Sequence, residues 1–287
     1  MTRLRASGGG SPHTLRAYRA DLETFARKFP GLDAADIERA HVRRLLADLQ
    51  AAGAARASVL RKASALRQFV KFLRAEGELK RDPFLGVTLP KRSRPLPKFL
   101  TEAEMSEVLA APAGADPADA RDRALVELLY SSGLRRAEAS ALNVGDADLL
   151  SGTVRVLGKG GKERLSPVGE TALTCLRDYF RARGGPGAGD PLFVNERGVR
   201  LSHEGVAFVV RRWVRRSALL KNVTPHAFRH SFATHLLDHG CSIREVQEML
   251  GHANLNTTQI YTHVSLRRLR DAYDGAHPRS AAARGGA

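Results

Sequence analysis

The chain has 287 residues, 43% of them hydrophobic and 26% charged, which is enough apolar material for two globular domains or one large one. It has no run of 18 apolar residues, no apolar stretch in its opening MTRLRASGGGSPH, and only two cysteines, Cys175 and Cys241, without metal-like spacing. That excludes a helical membrane span, a signal peptide, a disulfide framework and a cysteine–zinc site, and implies a cytosolic protein. The net charge of +16 calls for a polyanionic partner, most often nucleic acid, with a basic solvated surface as the alternative. It is unevenly spread: residues 1–97 hold 20 Lys and Arg against 9 Asp and Glu, residues 98–287 hold 26 against 21.

In chain order, helical spacing covers 12–29, 35–51 and 56–76. In the third segment Val59, Ala63, Leu66, Phe69, Val70 and Leu73 share one broad face, with Leu60 outside the pattern. Arg56, Arg67, Lys71 and Arg74 gather on another face. A core stripe beside a cationic stripe suits a helix pressed against DNA, and suits a solvated basic face as well. GVTLPKRSRPLPK, residues 86–98, has three prolines and four cations and reads as a semi-extended linker able to follow a phosphate backbone, with Lys91 and Arg92 as candidate contacts. The expected organisation is a helical domain over 1–90, a linker over 91–98 and a second domain over 99–287.

In the second domain, helices are expected at 119–131 and 135–142, separated by Ser-Ser-Gly. GTVRVLGKGGKERLSPV, residues 152–168, alternates as strand, Gly-Lys turn and strand, which predicts a β-hairpin. Further helices are expected at 167–183 and 203–217. TPHAFRHSFATHLLDHG, residues 224–240, has Thr224 as N-cap, Pro225 at the first helical position and Gly240 as terminator. Ser242 and Glu245 make a capping box for the next helix, which Gly251 ends. The fold class is therefore mainly α, of the α+β kind: an all-α N-terminal domain and a mixed, mostly helical C-terminal domain with a small β-hairpin or sheet.

Several residues carry chemistry. His226 and Arg229 lie one turn apart on the helix opening at Thr224, and a guanidinium offers a planar fork of donors to two phosphate oxygens. Arg135 stands at a helix start, Lys159 between two glycines at the hairpin tip, His252 just past a helix end, and Tyr261 nine residues on. Together they describe phosphoryl transfer: two arginines counter the charge that develops on the phosphorane, a tyrosine attacks, a histidine eases its deprotonation and the lysine protonates the leaving oxygen. Such a site requires no metal and no cofactor. His235 and His239 form an HxxxH pair, but they fall on an apolar face with Phe228, Phe232 and Leu236 and read as packing histidines rather than zinc ligands.

SSGLRRAEASAL, GKGGKERLSPVG, TPHAFRHSFATHLLDHG and LGHANLNTTQIYTHV, in that order, resemble the four blocks of the tyrosine recombinases, most closely the bacterial XerC/XerD type. The resemblance covers 98–287; SPHTLRAYRADLETF and the basic helices resemble the family's core-binding domain, and AYDGAHPR also looks Xer-like. It implies that Arg135 and Arg229 bind the phosphate, Lys159 is the general acid toward the 5′ oxygen, His226 the base-like histidine, His252 a hydrogen-bond donor to the scissile phosphate, and Tyr261 the nucleophile forming a 3′-phosphotyrosyl link. It further implies a tetramer on double-stranded DNA bearing a short imperfect palindrome, acting through a Holliday junction, and a nucleoid-associated location. The helix in SLRRLRDAY, residues 265–273, would dock into a neighbour through Leu266, Leu269 and Tyr273. A sister recombinase and an activating DNA translocase are open partners.

Members of the family usually begin with a short helix ahead of the TLRAYR segment, so MTRLRASGGGS implies a shortened first helix or a misassigned start. The few residues ahead of SPHTLRAYR leave no place for the arm-binding domain of many phage and mobile-element integrases, which favours chromosome-dimer resolution. A type IB topoisomerase-like enzyme, a DNA-binding descendant without catalysis and a metal-dependent phosphodiesterase are the other readings. Retention of all six residues and the scarcity of acids argue against the last two.

Overall fold

The computed structural model describes residues 12–90, 99–112, 114, 116–158, 161, 163–217, 219, 221, 223–251 and 263–281. The chain divides into two units, Met1–Pro95 and Leu96–Ala287, each with its own hydrophobic core.

The first unit contains helices α1 (Pro12–Lys28), α2 (Arg39–Ala51) and α3 (Arg56–Ala75), with a 3-10 turn at Ala34–Asp36 and no strand among its described residues. The apolar stripe expected on α3 is the buried one: Val59, Ala63, Leu66, Val70 and Leu73 join Phe25, Val42, Leu45 and Leu46 in a single cluster. Phe69 is only half-buried, packed at the edge of the cluster, and Ala65, outside the expected stripe, is buried. At about 1.5–3 kcal/mol per buried leucine or valine, this cluster outweighs the fractions of a kcal/mol that separate helix propensities. Two cations of α3, the exposed Arg61 and the half-buried Lys62, both pair with Asp21 of α1, whose side chain is nearly inaccessible.

The second unit is arranged around α5 (Pro117–Ser132). Upstream lies α4 (Glu102–Leu109), opened by a capping box between Thr101 and Glu104. Downstream come α6 (Arg136–Ala141), strands β1 (Ala147–Asp148), β2 (Thr153–Leu157) and β3 (Glu163–Pro167), then α7 (Glu170–Ala182), α8 (His203–Val214), α9 (Pro225–Asp238), α10 (Ile243–Leu250), α11 (His263–Ala276) and α12 (Pro278–Ala281). α5 is capped by Asp116, which accepts a 2.7 Å hydrogen bond from Asp119 N, and Pro117 occupies its first turn. Its residues from Ala124 to Ser132 are all buried, because α7, α8 and α9 pack around it. Such a helix has no solvated face to show a 3.6-residue pattern.

The sheet is antiparallel in the order β1-β2-β3, and the expected hairpin pairs Thr153 with Pro167 and Leu157 with Glu163. β1, which the sequence reading did not include, is two residues long, too short to display alternation. The helix expected from 167 starts at Glu170, because Pro167 is still paired in β3. The one expected over 203–217 stops at Val214.

The C-terminal helix differs from expectation in its partner. Leu269 and Tyr273 are buried in this chain's own core, not presented to a neighbour. The Tyr273 hydroxyl is 2.7 Å from Ser131 Oγ on α5, and its ring stacks on His277 at a 4.7 Å centroid separation. The side chain of Leu266 lies outside the described residues. Burial drives the His277 imidazole down to a pKa of about 3, so it sits neutral among Tyr130, Phe232 and Tyr273.

Candidate active site

The site begins at the end of α5. Gly133 ends this helix in the left-handed conformation, φ 60°, and a Cβ there would lie 2.5 Å from the Phe232 ring and 2.8 Å from Leu250. Only glycine permits both the turn and the approach of α9 and α10. The turn delivers Arg135 as N-cap of α6, the helix start anticipated from the sequence. Glu138, one turn on, accepts from Arg135 twice, from the backbone N at 2.8 Å and from Nη1 at 2.8 Å, while the rest of the guanidinium remains about half exposed.

Arg229 comes to the same place from α9 and is only 6% exposed. It donates from Nη1 to Gly133 O and from Nη2 to Leu250 O, each at 2.8 Å, and its Nη1 is 3.8 Å from Glu138. Burial, then the charge of Arg135, draws its pKa down to about 10, against the pull of Glu138; the group is still a cation at neutral pH. A third arginine completes the cluster. Arg164 of β3, 4% exposed, grips Glu138 with two bonds of 3.0 and 2.8 Å and donates from Nε to Met249 O at 2.9 Å. Burial alone would raise the Glu138 carboxyl, but the hydrogen bonds and charge of Arg164, with those of Arg135, hold it at about 2. Three guanidinium groups thus surround one carboxylate and leave a local excess of two positive charges.

His226 is exposed at the opening of α9, one turn before Arg229. Thr224 holds the N-cap position there, but its side chain makes no capping bond. Arg135, His226 and Arg229 are therefore brought to one region; Lys159, His252 and Tyr261 lie outside the described residues. So do Lys91 and Arg92. Of the α3 cations, Arg56 and Lys71 are exposed, Arg67 lies over the Phe84 ring at 4.7 Å, and Arg74 is 3.7 Å from Asp82.

His235 is a packing histidine, as expected: Tyr130 OH lies 2.8 Å from Nδ1 and Leu100 O 2.8 Å from Nε2. With both nitrogens occupied it has none to give a metal. His239 is not packed but exposed at the C-cap of α9, where Nδ1 is 2.8 Å from His235 O. Among the described residues no group of three or more His, Cys, Asp or Glu is placed to hold a metal ion, and no helix is long and apolar enough to cross a membrane.

Glu138 and Arg164 escaped the sequence reading, although each left a signal. Glu138 stands three residues after Arg135, the spacing of a capping box. Arg164 pairs in register with Val156, and Ser166 with Val154, so an arginine occupies the inward face of a hairpin whose other inward residues are two valines and a serine.

Arginines converging on one carboxylate, with the Arg135 side chain about half exposed, form a donor set of the kind that suits a phosphate-binding class of protein. Comparison with known proteins gives that class its family. Residues 98–268 match the phage integrase family and residues 2–77 the phage integrase N-terminal SAM-like domain. The tyrosine recombinase XerC of Pelobacter propionicus is 42% identical over 275 residues, covering 94% of this chain and 91% of that protein. XerC of Chromobacterium violaceum is 43% identical over 276 residues, covering 96% and 92%. Among solved structures, the XerH site-specific recombinase bound to its difH substrate in a pre-cleavage complex superimposes with a TM-score of 0.67 at 26% identity, covering 90% of this chain and 78% of that one. The chain belongs to the phage integrase family and is a site-specific tyrosine recombinase of the Xer type.

Proposed function

We propose that the protein cuts and rejoins double-stranded DNA through a 3′-phosphotyrosyl intermediate. The observation that carries the reading is the cluster in which Arg135 and Arg229 share Glu138, one guanidinium half exposed and the other fixed by two backbone carbonyls. In the proposed reaction the Tyr261 hydroxyl attacks the scissile phosphorus and the bond to the 5′ oxygen breaks. His226 accepts the tyrosine proton and Lys159 protonates the departing 5′ oxygen. Arg135 and Arg229, with a hydrogen bond from His252, hold the non-bridging oxygens and counter the charge that develops on them. With arginines carrying that charge, the step needs no metal ion. The phosphotyrosyl ester conserves the energy of the broken link, so rejoining needs no ATP.

Residues 1–90 would act as the core-binding domain and residues 99–287 as the catalytic domain, with 91–98 as a linker able to lie along a phosphate backbone. Arg56 and Lys71, and Lys91 and Arg92 in the linker, are the proposed backbone contacts; Arg67 and Arg74 join them with part of their surface already committed to Phe84 and Asp82. The proposed task is resolution of chromosome dimers at a dif-like palindromic site in the cytoplasm, on the nucleoid. The assembly would be a tetramer of this chain, alone or with a sister recombinase, with a DNA translocase as the proposed activator.

Covalent trapping tests the chemistry. Full-length protein is incubated in EDTA with nicked suicide duplexes prepared from genomic fragments, and denaturation-resistant adducts are recovered and sequenced. The expected result is an adduct that survives EDTA, disappears in Tyr261→Phe and is enriched in one short imperfect palindrome. An adduct formed by Tyr261→Phe, or one that requires a divalent ion, would overturn the mechanism.

A further inference from the structure

The arginine that the proposed chemistry leaves unused ties β3 to both α6 and α10. Arg164 is 4% exposed and lies on β3, a strand that otherwise turns small and apolar residues inward. Its guanidinium makes a two-toothed contact with Glu138 on α6 and donates to Met249 O in the last turn of α10. Leu250 O, the next carbonyl along, is taken by Arg229. The carbonyls that end a helix have no intrahelical partner, so two neighbouring ones here are satisfied by two arginines from different elements. Approach is close enough that a Cβ on Gly251 would lie 2.8 Å from Arg164 Cδ and 3.1 Å from its Nη1. In sequence, Arg164 follows Lys159 by five residues, and Gly251 immediately precedes His252.

Glu138 is the shared element. Its two oxygens accept from Arg135 N, Arg135 Nη1 and both terminal nitrogens of Arg164, while Arg229 Nη1 stops at 3.8 Å. The charged groups facing it are Arg135 from its own turn, Arg164 from β3 and Arg229 from α9. We infer that Arg164 is a positioning residue for strand cleavage: by saturating Glu138 it keeps that carboxylate from closing on Arg229 and leaves the two proposed phosphate-binding arginines turned toward DNA. The inference rests on the proposed roles of Arg135 and Arg229. It adds the device that stops an internal carboxylate from competing with the phosphate for them.

The competition makes the test specific. If Arg164 is removed, ionised Glu138 is left buried beside Arg229 and pairs with it. Taking away the charge of Glu138, by protonation or by Glu138→Gln, then relieves the defect. Arg164→Met, Arg164→Lys, Glu138→Gln and Arg164→Met/Glu138→Gln are made in the full-length chain. Each is assayed for single-turnover cleavage of a nicked duplex carrying the site recovered by trapping, with duplex affinity measured by gel shift and folding by thermal melting. Arg164→Met is expected to cleave about 100-fold more slowly than wild type, the scale of a misplacement of about 1 Å in an active site, with duplex affinity within about twofold. The deficit relative to wild type is expected to shrink as pH falls and to shrink at every pH in the double variant. Arg164→Lys keeps a cation in the same space but cannot span Glu138 and Met249 O together. It is expected to lose about 10-fold, and it carries the test should Arg164→Met fail to fold.

Wild-type cleavage rates in a folded Arg164→Met or Arg164→Lys would overturn the inference while leaving the proposed chemistry intact. A double variant no faster than Arg164→Met would also overturn it, reducing Arg164 to a space-filling role. No adduct from the wild type would overturn the chemistry and the inference with it.

Discussion

On α3 of the first unit, Arg56 and Lys71 stand in solvent and Arg74 reaches across 3.7 Å toward Asp82. In the second unit Arg164 and Arg229 are 4% and 6% exposed; Arg164 donates twice to a carboxylate and once to a carbonyl at a helix end, and Arg229 donates to carbonyls at two helix ends. By count, residues 1–97 are the more basic part, with 20 Lys and Arg against 9 Asp and Glu. By placement, the second unit does more with a smaller net excess, residues 98–287 holding 26 Lys and Arg against 21 Asp and Glu. Exposed charges attract a polyanion from any direction and are screened within about 10 Å at ordinary salt. Buried ones hold a fixed orientation in a weakly screened setting, at the cost of needing every partner in place.

The largest expected effect breaks the comparison at its buried end. Arg229→Met removes the donor to Gly133 O and Leu250 O together with the cation beside Glu138. Strand cleavage is expected to fall at least ~100-fold, the scale for losing one oriented donor to a developing charge. Stability should fall by about 3–5 kcal/mol, the scale for breaking a buried ion-pair network. Adduct yield and urea unfolding measure the two; a variant with normal cleavage and an unchanged urea midpoint would mean that placement counts for no more here than number.

The next sharpens the comparison using a buried group that stays neutral. His277 has a folded pKa of about 3 against an ordinary value near 6.5, so the unfolded chain binds the proton more readily. Its contribution to stability is complete above pH 6.5 and is lost progressively as pH falls toward 3. Between pH 6.5 and 4.5 this amounts to about 2 kcal/mol. His277→Phe, which keeps a ring against Tyr273, is expected to flatten the pH dependence of the urea midpoint over that interval. An unchanged slope would show that some other group sets it.

The smallest effect lies at the exposed end. Lys71→Ala should leave stability within about 0.5 kcal/mol. It should weaken duplex binding evenly across sequences and reduce the slope of log K against log salt by about one. A loss of stability beyond 1 kcal/mol would mean that the α3 cations are structural.

How much of this was legible follows from the same contrast. Local rules placed the buried stripe of α3, the hairpin, Pro225 in the first turn of α9, the capping box of Ser242 with Glu245, the stop at Gly251 and Arg135 at a helix start, because each depends on residues a few positions apart. Arg164 and Glu138 are 26 positions apart, and Leu269 and Tyr273 find their place against elements far upstream, where no local pattern reports them. SLRRLRDAY by itself showed only a short amphipathic helix, and the family resemblance implied docking into a neighbour. Its partner proved to be the chain's own core, where Ser131, 142 residues away, meets the Tyr273 hydroxyl.

That spacing has a consequence for the timing of activity in a growing chain. Arg229 bonds Gly133 across 96 residues and Arg164 bonds Met249 across 85. At synthesis rates of about 5–20 residues per second, several seconds separate the emergence of Arg135 from that of Leu250, and α11 follows later still. For that interval the chain has the basic surface of its first unit but no assembled arginine cluster. A polypeptide emerging from the ribosome can therefore meet DNA before the proposed cutting site is assembled.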